Sequence, residues 1–401
     1  MNPLPGSAKP LRVYSIDVFR AITMMLMIFV NDLWTLEGIP AWLGHVDAKE
    51  DGMGLADVVF PAFLVIVGLS IPFALSKRIE KGERLLGTLQ HVFFRTLALL
   101  TMGVFHVNLE QYNKTYALLP KQIWQILITL AFFMIWLDYG KTKDNKKWNG
   151  FQIGGVALLG ILALLYKGGS AEVPTWMGFY WWGILGLIGW AYLIASLVYL
   201  VFRESMPAYI GFFLFFMLFN CASQLGWLGF LEGIKPYVWI SGDGSNPAFA
   251  MAGVVAGVYY KNYFAKGKGW NYALILGLSA LALLLFGFWT RPLWGIHKIG
   301  ASPSWVAICS GLSFLSFAMM IWLVDKRGKA AWFDTIKPAG TSTLTCYLLP
   351  YIHYAIYTMV GIALPLVLRT GMIGIVKCLL YALLIILITG FLEKRRIRLK
   401  I

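Results

Sequence analysis

The sequence predicts an all-α, polytopic integral membrane protein of about twelve transmembrane helices, with both termini cytoplasmic. Of its 401 residues, 59% are hydrophobic and only 13% charged, against roughly 25% charged in a soluble domain. The apolar runs reach the roughly 20 residues that a helix needs to cross a bilayer. The basic residues gather in alternate loops, as the positive-inside rule requires. The mean hydropathy of +0.70 agrees.

The expected spans are 16–36, 55–76, 85–107, 122–139, 149–166, 177–201, 206–230, 247–264, 270–289, 304–324, 340–362 and 371–392. The first two, the eighth and the last two stand out by length and apolarity. The turns of 149–232 are short and Gly-rich. With the N-terminus inside, about two thirds of the 34 Lys and Arg fall in inner segments: the N-terminus, KRIEKGER, KTKDNKK, Arg203, KNYFAKGK, DKRGK and the tail EKRRIRLK. An even number of spans returns the C-terminus to the same side. The net charge of +15 is therefore read as membrane topology and not as a nucleic-acid surface. The start, MNPLPGSAKPLRVYSIDVF, has no apolar core after its basic residues and is not expected to be a cleaved signal peptide. A single domain over 1–401 is expected, without low-complexity tract or obvious repeat. The 17 Trp suit an interfacial belt, and some of them suit the stacking of sugar rings.

The chemistry concentrates in HVDAKEDGMGLADVVFPAFLVIVGLSIP, residues 45–72. His45 lies in an acidic outer loop, and twelve residues later Asp57 opens an apolar span. Imidazole titrates near neutral pH, so His45 is a candidate general base, and an ordinary solvated loop histidine is the plainer alternative. Asp57 can orient His45, hold a substrate ammonium, or act only as a helix-start acid. Asp17 and Arg20 share one face of the first span and can pair. Asn31 and Asp32 end that span just before the His45 loop. Arg95 lies about three turns into the third span, where a buried anion or Asp17 is its expected partner. Gln125 is a further polar group within a span. His297 and Lys298 occupy the outer loop TRPLWGIHKIGASPSW. Each of these has a structural reading beside the functional one.

His91, His106 and His353 read as isolated polar residues. The five histidines form no HExxH pattern, so no metal is expected. Cys221, Cys309, Cys346 and Cys378 read as small core residues. There is no GxxxxGKS and no GxSxG.

SIDVFRAITMMLMIFVN, followed by a histidine and LADVVFPAFLVIVGLSI, resembles the core of the heparan-α-glucosaminide N-acetyltransferase family of transmembrane acyltransferases. The resemblance is specific over about 15–108 and extends more weakly to 139. It is weaker at IWQILITL and HKIGASPSW, and faint at GTSTLTCYLLPYI, where the family usually has an asparagine near Ser342. Ala21 replaces the usual glycine. The loop from His45 to Asp57 is about two residues longer, and Ile126 stands where the family has arginine. No lumenal domain is expected before the first span, and 149–205 reads as an added helical hairpin.

The resemblance implies transfer of acetyl from cytosolic acetyl-CoA, a co-substrate, to the amine of a terminal glucosamine beyond the membrane. It aligns His45 with the family's active-site histidine. CoA is highly anionic and the inner face strongly basic, so Arg20 and Arg95, with Lys77 and Arg78 at the rim, are the candidates to receive its phosphates. Asp17, Asn31, Asp32, Gln125, His297, Lys298 and Ser342 are the candidates for holding substrate. The implied partners are membrane lipid and an amino-sugar or glycan acceptor, in a bacterial inner membrane, with a homodimer left open. The rival reading is a permease for a sugar or other small solute, with Asp17, Asp32 and Arg95 on its path. No inverted repeat of the kind many transporters show is evident.

Overall fold

The computed structural model describes residues 13–140, 149–170, 172–203, 205–234, 243–264 and 269–401. The N-terminal basic residues, the loop KTKDNKK and parts of EGIKPYVWISGDGSNP and KNYFAKGK lie outside the described residues.

Apolar runs of this length leave the backbone no water to bond, so it bonds itself and the described residues are predominantly helical. In order the helices are α1 (Tyr14–Asp32), α2 (Leu55–Glu80), α3 (Leu85–Asn108), α4 (Lys121–Trp136), α5 (Gly150–Leu165), α6 (Ile184–Phe202), α7 (Met206–Gln224), α8 (Ser245–Phe264), α9 (Gly269–Trp294), α10 (Pro303–Met320), the short α11 (Lys337–Thr341), α12 (Thr343–Val360) and α13 (Gly371–Lys394). Two-residue strands β1 (Gly168–Gly169) and β2 (Pro174–Thr175) pair antiparallel between α5 and α6. Among the described residues, seven helices are long and apolar enough to cross a membrane: α2, α3, α6, α7, α9, α10 with its continuation to Lys326, and α13. The helices α4 and α5 are apolar but shorter. Asp17, Arg20 and Asp32 dilute the apolar character of α1.

Several expected boundaries move for local reasons. The expected span 122–139 stops at Trp136, because Leu137 turns away to bridge Leu399. The span 206–230 stops at Gln224, where Gly226 follows with φ +75°. The span 304–324 ends in a π-helical turn, Ile321–Lys326. The span 340–362 is divided between α11 and α12 at Ser342.

At the centre lies α2, packed against α8, α1, α6 and α10. The α2–α8 contact is close because both backbones present glycine. A Cβ on Gly68 would overlap the Ala250 carbonyl, and one on Gly253 would overlap that of Val65. The helices of 149–205 divide between neighbours: α5 packs on α4, and α6 on α3, α8 and α2. Thus α6 is part of the central packing. Cys309, Cys346 and Cys378 are buried.

Candidate active site

The chain between α1 and α2 folds back over the start of α2. The first N–H groups of a helix have no partner inside it. Here Trp42 O accepts from Leu55 N at 2.7 Å, and Leu43 O accepts from Ala56 N at 3.3 Å. The Asp57 carboxylate takes two more donors through Oδ2: Gly54 N at 3.0 Å and Val46 N at 3.1 Å. A Cβ on Gly54 would overlap the Gly44 carbonyl oxygen, so this turn closes only with glycine there.

That turn brings His45 onto Asp57. Nδ1 of His45 lies 2.6 Å from Asp57 Oδ1. Asp57 is buried, with 1% of its side chain exposed, while His45 is 55% exposed. The buried carboxylate sits at the N-terminal end of α2, where the helix dipole favours negative charge.

A third group arrives from far along the chain. Lys298 Nζ is 3.0 Å from His45 Nδ1 and 3.6 Å from Asp57 Oδ1. Nδ1 cannot donate to Asp57 and accept from Lys298 at once. With Asp57 ionised, Nδ1–H is the donor, Lys298 is the second ion-pair partner of Asp57, and Nε2 carries the free lone pair. Burial holds the Lys298 ammonium below the ordinary lysine range, and Asp57 works against that shift. The Lys298 loop is pinned to the His45 loop. Asp51 accepts from Ile296 N at 2.7 Å and from Arg291 Nε at 2.9 Å, and Gly52 N donates to Ile296 O at 3.1 Å. Donation by Ile296 N, with Arg291 beside it, keeps the Asp51 carboxyl below its usual range.

Pro61 completes the support. Proline has no N–H, so the carbonyl four residues before it, that of Asp57, loses its helical donor. The indole Nε1 of Trp305 replaces it at 3.2 Å and joins α10 to α2 behind the site. Leaving such a buried carbonyl unpaired costs about 1–3 kcal/mol.

A second polar group faces a cavity of about 380 Å³ further along α2. Arg20, Arg95, Ser70, Tyr192 and Ser342 are among its lining residues, with Lys400 and Ile401. Arg20 donates to Ser70 Oγ at 2.6 Å and to the Gly340 carbonyl at 3.3 Å, and pairs with Asp17 at 3.4 Å. The Arg95 guanidinium lies over the Tyr192 ring, 4.7 Å from its centre. The buried Arg95 Nε and Ser342 Oγ have no hydrogen-bond partner. Two guanidinium groups beside unpaired donors suit an anionic, polar ligand.

The other candidates are placed differently. Lys77 is exposed, and Arg78 pairs with Glu83 at 2.8 Å; neither lines that cavity. Asp17 partners Arg20 and not Arg95. Gln125 donates to the Tyr351 carbonyl at 2.7 Å and so ties α4 to α12. Asn31 is exposed at the end of α1, and Asp32 is buried against Lys377. His297 donates its backbone N–H to Ser302 Oγ at 3.0 Å, next to Lys298. Among the described residues no group of three His, Cys, Asp or Glu side chains gathers as a metal site would. Ser70, Tyr192 and Trp305 were not singled out in the sequence. Ser70 had a signal, a hydroxyl in the apolar run GLSIP, whereas Tyr192 and Trp305 looked like any aromatic residue of a span.

A membrane-embedded helical bundle that backs a histidine with a buried carboxylate at one helix end has the layout of a membrane enzyme. Residues 12–107 match the model of the heparan-alpha-glucosaminide N-acetyltransferase catalytic domain. The human heparan-alpha-glucosaminide N-acetyltransferase is 34% identical over 102 residues, 25% of this chain and 15% of that protein. The mouse protein is 32% identical over 97 residues, 24% of this chain and 14% of its own length. The matched part thus spans about a seventh of these relatives. It contains His45, Asp57, Arg20 and Arg95, and leaves out Lys298, Tyr192 and Ser342.

Proposed function

We propose that the chain is a transmembrane N-acetyltransferase. It moves acetyl from cytosolic acetyl-CoA to the amine of a glucosamine-type sugar outside, in a bacterial inner membrane. The reading has twelve crossings and both termini in the cytoplasm. The observation that carries it is the His45–Asp57 pair, at 2.6 Å, inside the segment that matches the acetyltransferase family.

The geometry supports the following roles. Arg20 and Arg95 bind the anionic end of acetyl-CoA, and the unpaired Ser342 Oγ and Arg95 Nε take further polar groups of it. The cavity lining reaches Phe63, six residues or about 9 Å along α2 from Asp57. The thioester arm covers that distance between the helices. At the outer end His45 Nε2 accepts the amine proton as the nitrogen attacks the thioester carbonyl. A C–N bond forms, the C–S bond breaks, and the imidazolium returns its proton to the departing sulfur, so that CoA leaves as the thiol and His45 is neutral again. Asp57 holds the ring orientation and stabilises the imidazolium. Transfer through an acetyl group on His45 Nε2 uses the same residues in two steps.

Calorimetry with acetyl-CoA on detergent-purified protein tests the reading. Binding is expected, weakened by salt and by about 10–100-fold in Arg95→Ala, the range for one charge-assisted hydrogen bond. Folded wild-type protein that binds no acetyl-CoA would overturn it and favour the permease.

A further inference from the structure

Lys298 lies outside the segment that matches the acetyltransferase family, and acetyl transfer as proposed leaves it without a role. It reaches the histidine–carboxylate pair from the loop after α9, with Nζ 3.0 Å from His45 Nδ1 and 3.6 Å from Asp57 Oδ1. Asp57 is thereby engaged on both oxygens. Oδ2 accepts from Val46 N and Gly54 N, Oδ1 faces His45 and Lys298, and only 1% of the side chain is exposed. A carboxylate so engaged holds no further ammonium, because Lys298 already stands where one would pair with it. The Lys298 side chain is itself 28% exposed, beside the half-exposed imidazole. An acceptor approaching Nε2 therefore meets a fixed positive charge and no open negative one.

The other charged groups nearby are occupied or open to water. Asp51 pairs with Arg291 at 2.9 Å and accepts from Ile296 N. His297 follows the same loop, its backbone N–H on Ser302 Oγ. Asp47, Lys49 and Glu50 are exposed on the His45 loop, and the Cys309 thiol of α10 is buried against the Asp57 carbonyl. Proton count points the same way. A free amine loses one proton on becoming an amide, His45 carries it, and the departing sulfur takes it. An ammonium brings one proton more, for which neither the engaged Asp57 nor the charged Lys298 is an acceptor. We propose that Lys298 determines specificity for the uncharged amine: its ammonium occupies the position on Asp57 that the acceptor's own ammonium would take, so only the free base reaches His45 Nε2. Repulsion of the wrong form is a general route to specificity. The inference rests on the amine acceptor of the proposed function.

Purified full-length protein is assayed with acetyl-CoA and two acceptors, glucosamine and its aminooxy analogue, whose nitrogen stays neutral near pH 7. The glucosamine amine, flanked by electron-withdrawing C–O bonds, titrates much as an α-amino group does, at about 7.7–8.0. Below that range the wild-type KM for glucosamine is expected to rise about tenfold per pH unit, as the free base is depleted. Its kcat should follow that of the analogue, whose KM stays flat. Lys298→Met keeps the stem and empties the Nζ position. There the KM for glucosamine is expected to lose its pH dependence and kcat to fall instead, because the ammonium form now binds. Lys298→Arg keeps the cation and should keep the rise in KM. Unchanged acetyl-CoA affinity by calorimetry shows that both variants are folded. A wild-type KM that is flat with pH overturns the inference and leaves the proposed function standing. So does a Lys298→Met protein that binds acetyl-CoA normally and keeps the tenfold rise. A protein that acetylates neither acceptor ends both.

Discussion

At the scale of single residues, His45 and Asp57 separate chemistry from support. His45 is half exposed and bonds only through its ring, so His45→Ala is expected to leave the melting temperature nearly unchanged. Acetyl transfer to a glucosamine acceptor should fall by about 10²–10⁴-fold, the usual contribution of a general base. Asp57 carries more of the structure, because it satisfies Val46 N, Gly54 N, His45 and Lys298 together. Asp57→Asn keeps an acceptor for the backbone donors but removes the charge that Lys298 and the histidine face. It is expected to cost less in rate than His45→Ala and to lower the melting temperature measurably. A His45→Ala protein with normal turnover would remove both the base and the acyl-carrier roles.

At the scale of elements, the site depends on one loop being held against another. Gly54→Ala places a methyl group on the Gly44 carbonyl and must shift the residue before His45. Its expected signature is a loss of transfer rate of about 10-fold or more with acetyl-CoA affinity unchanged, since a small misplacement of a catalytic group is costly. Equal rates in Gly54→Ala and wild type would show that the turn tolerates the shift. The clamp at Asp51 has a pH signature. Its folded-state pKa lies below the unfolded value of about 3.9. The stability it adds is therefore fully present above that value and is lost as pH falls through the lower folded value. The difference in melting temperature between wild type and Asp51→Asn should be constant from pH 7 to about 5 and close below about 4. A difference that persists under acid would assign the clamp to the backbone bonds alone.

At the scale of the whole molecule, the proposed function requires that His45 and the arginine cavity open to opposite sides. Asp57 and Ser70 stand thirteen residues apart on α2, about 20 Å along a straight helix. Most of a bilayer's hydrocarbon thickness therefore lies between the two chemistries. In a variant without native cysteines, Asp47→Cys is expected to react with an impermeant maleimide from outside intact cells. Lys81→Cys, in the loop between α2 and α3, should react only after lysis. The opposite pattern would put His45 on the cytoplasmic side and end the transmembrane transfer mechanism.

Composition and charge determined that the chain is helical and built for a membrane, because hydrophobicity and span length are local properties. The twelve-residue spacing of His45 and Asp57 made that pair legible, since both flank one helix start. The family motif covered the same stretch. What tertiary structure decided is which distant groups join them. Lys298 reaches His45 across 253 residues because Asp51 ties the two loops together. Arg20, Arg95, Tyr192 and Ser342 share one cavity because α1, α3, α6 and the start of α12 turn those faces inward. Gln125 became a strut and Arg78 a surface pair for the converse reason. Facing is set by helix rotation and by close approach at pairs such as Gly68 and Gly253, and no single segment's pattern contains that angle.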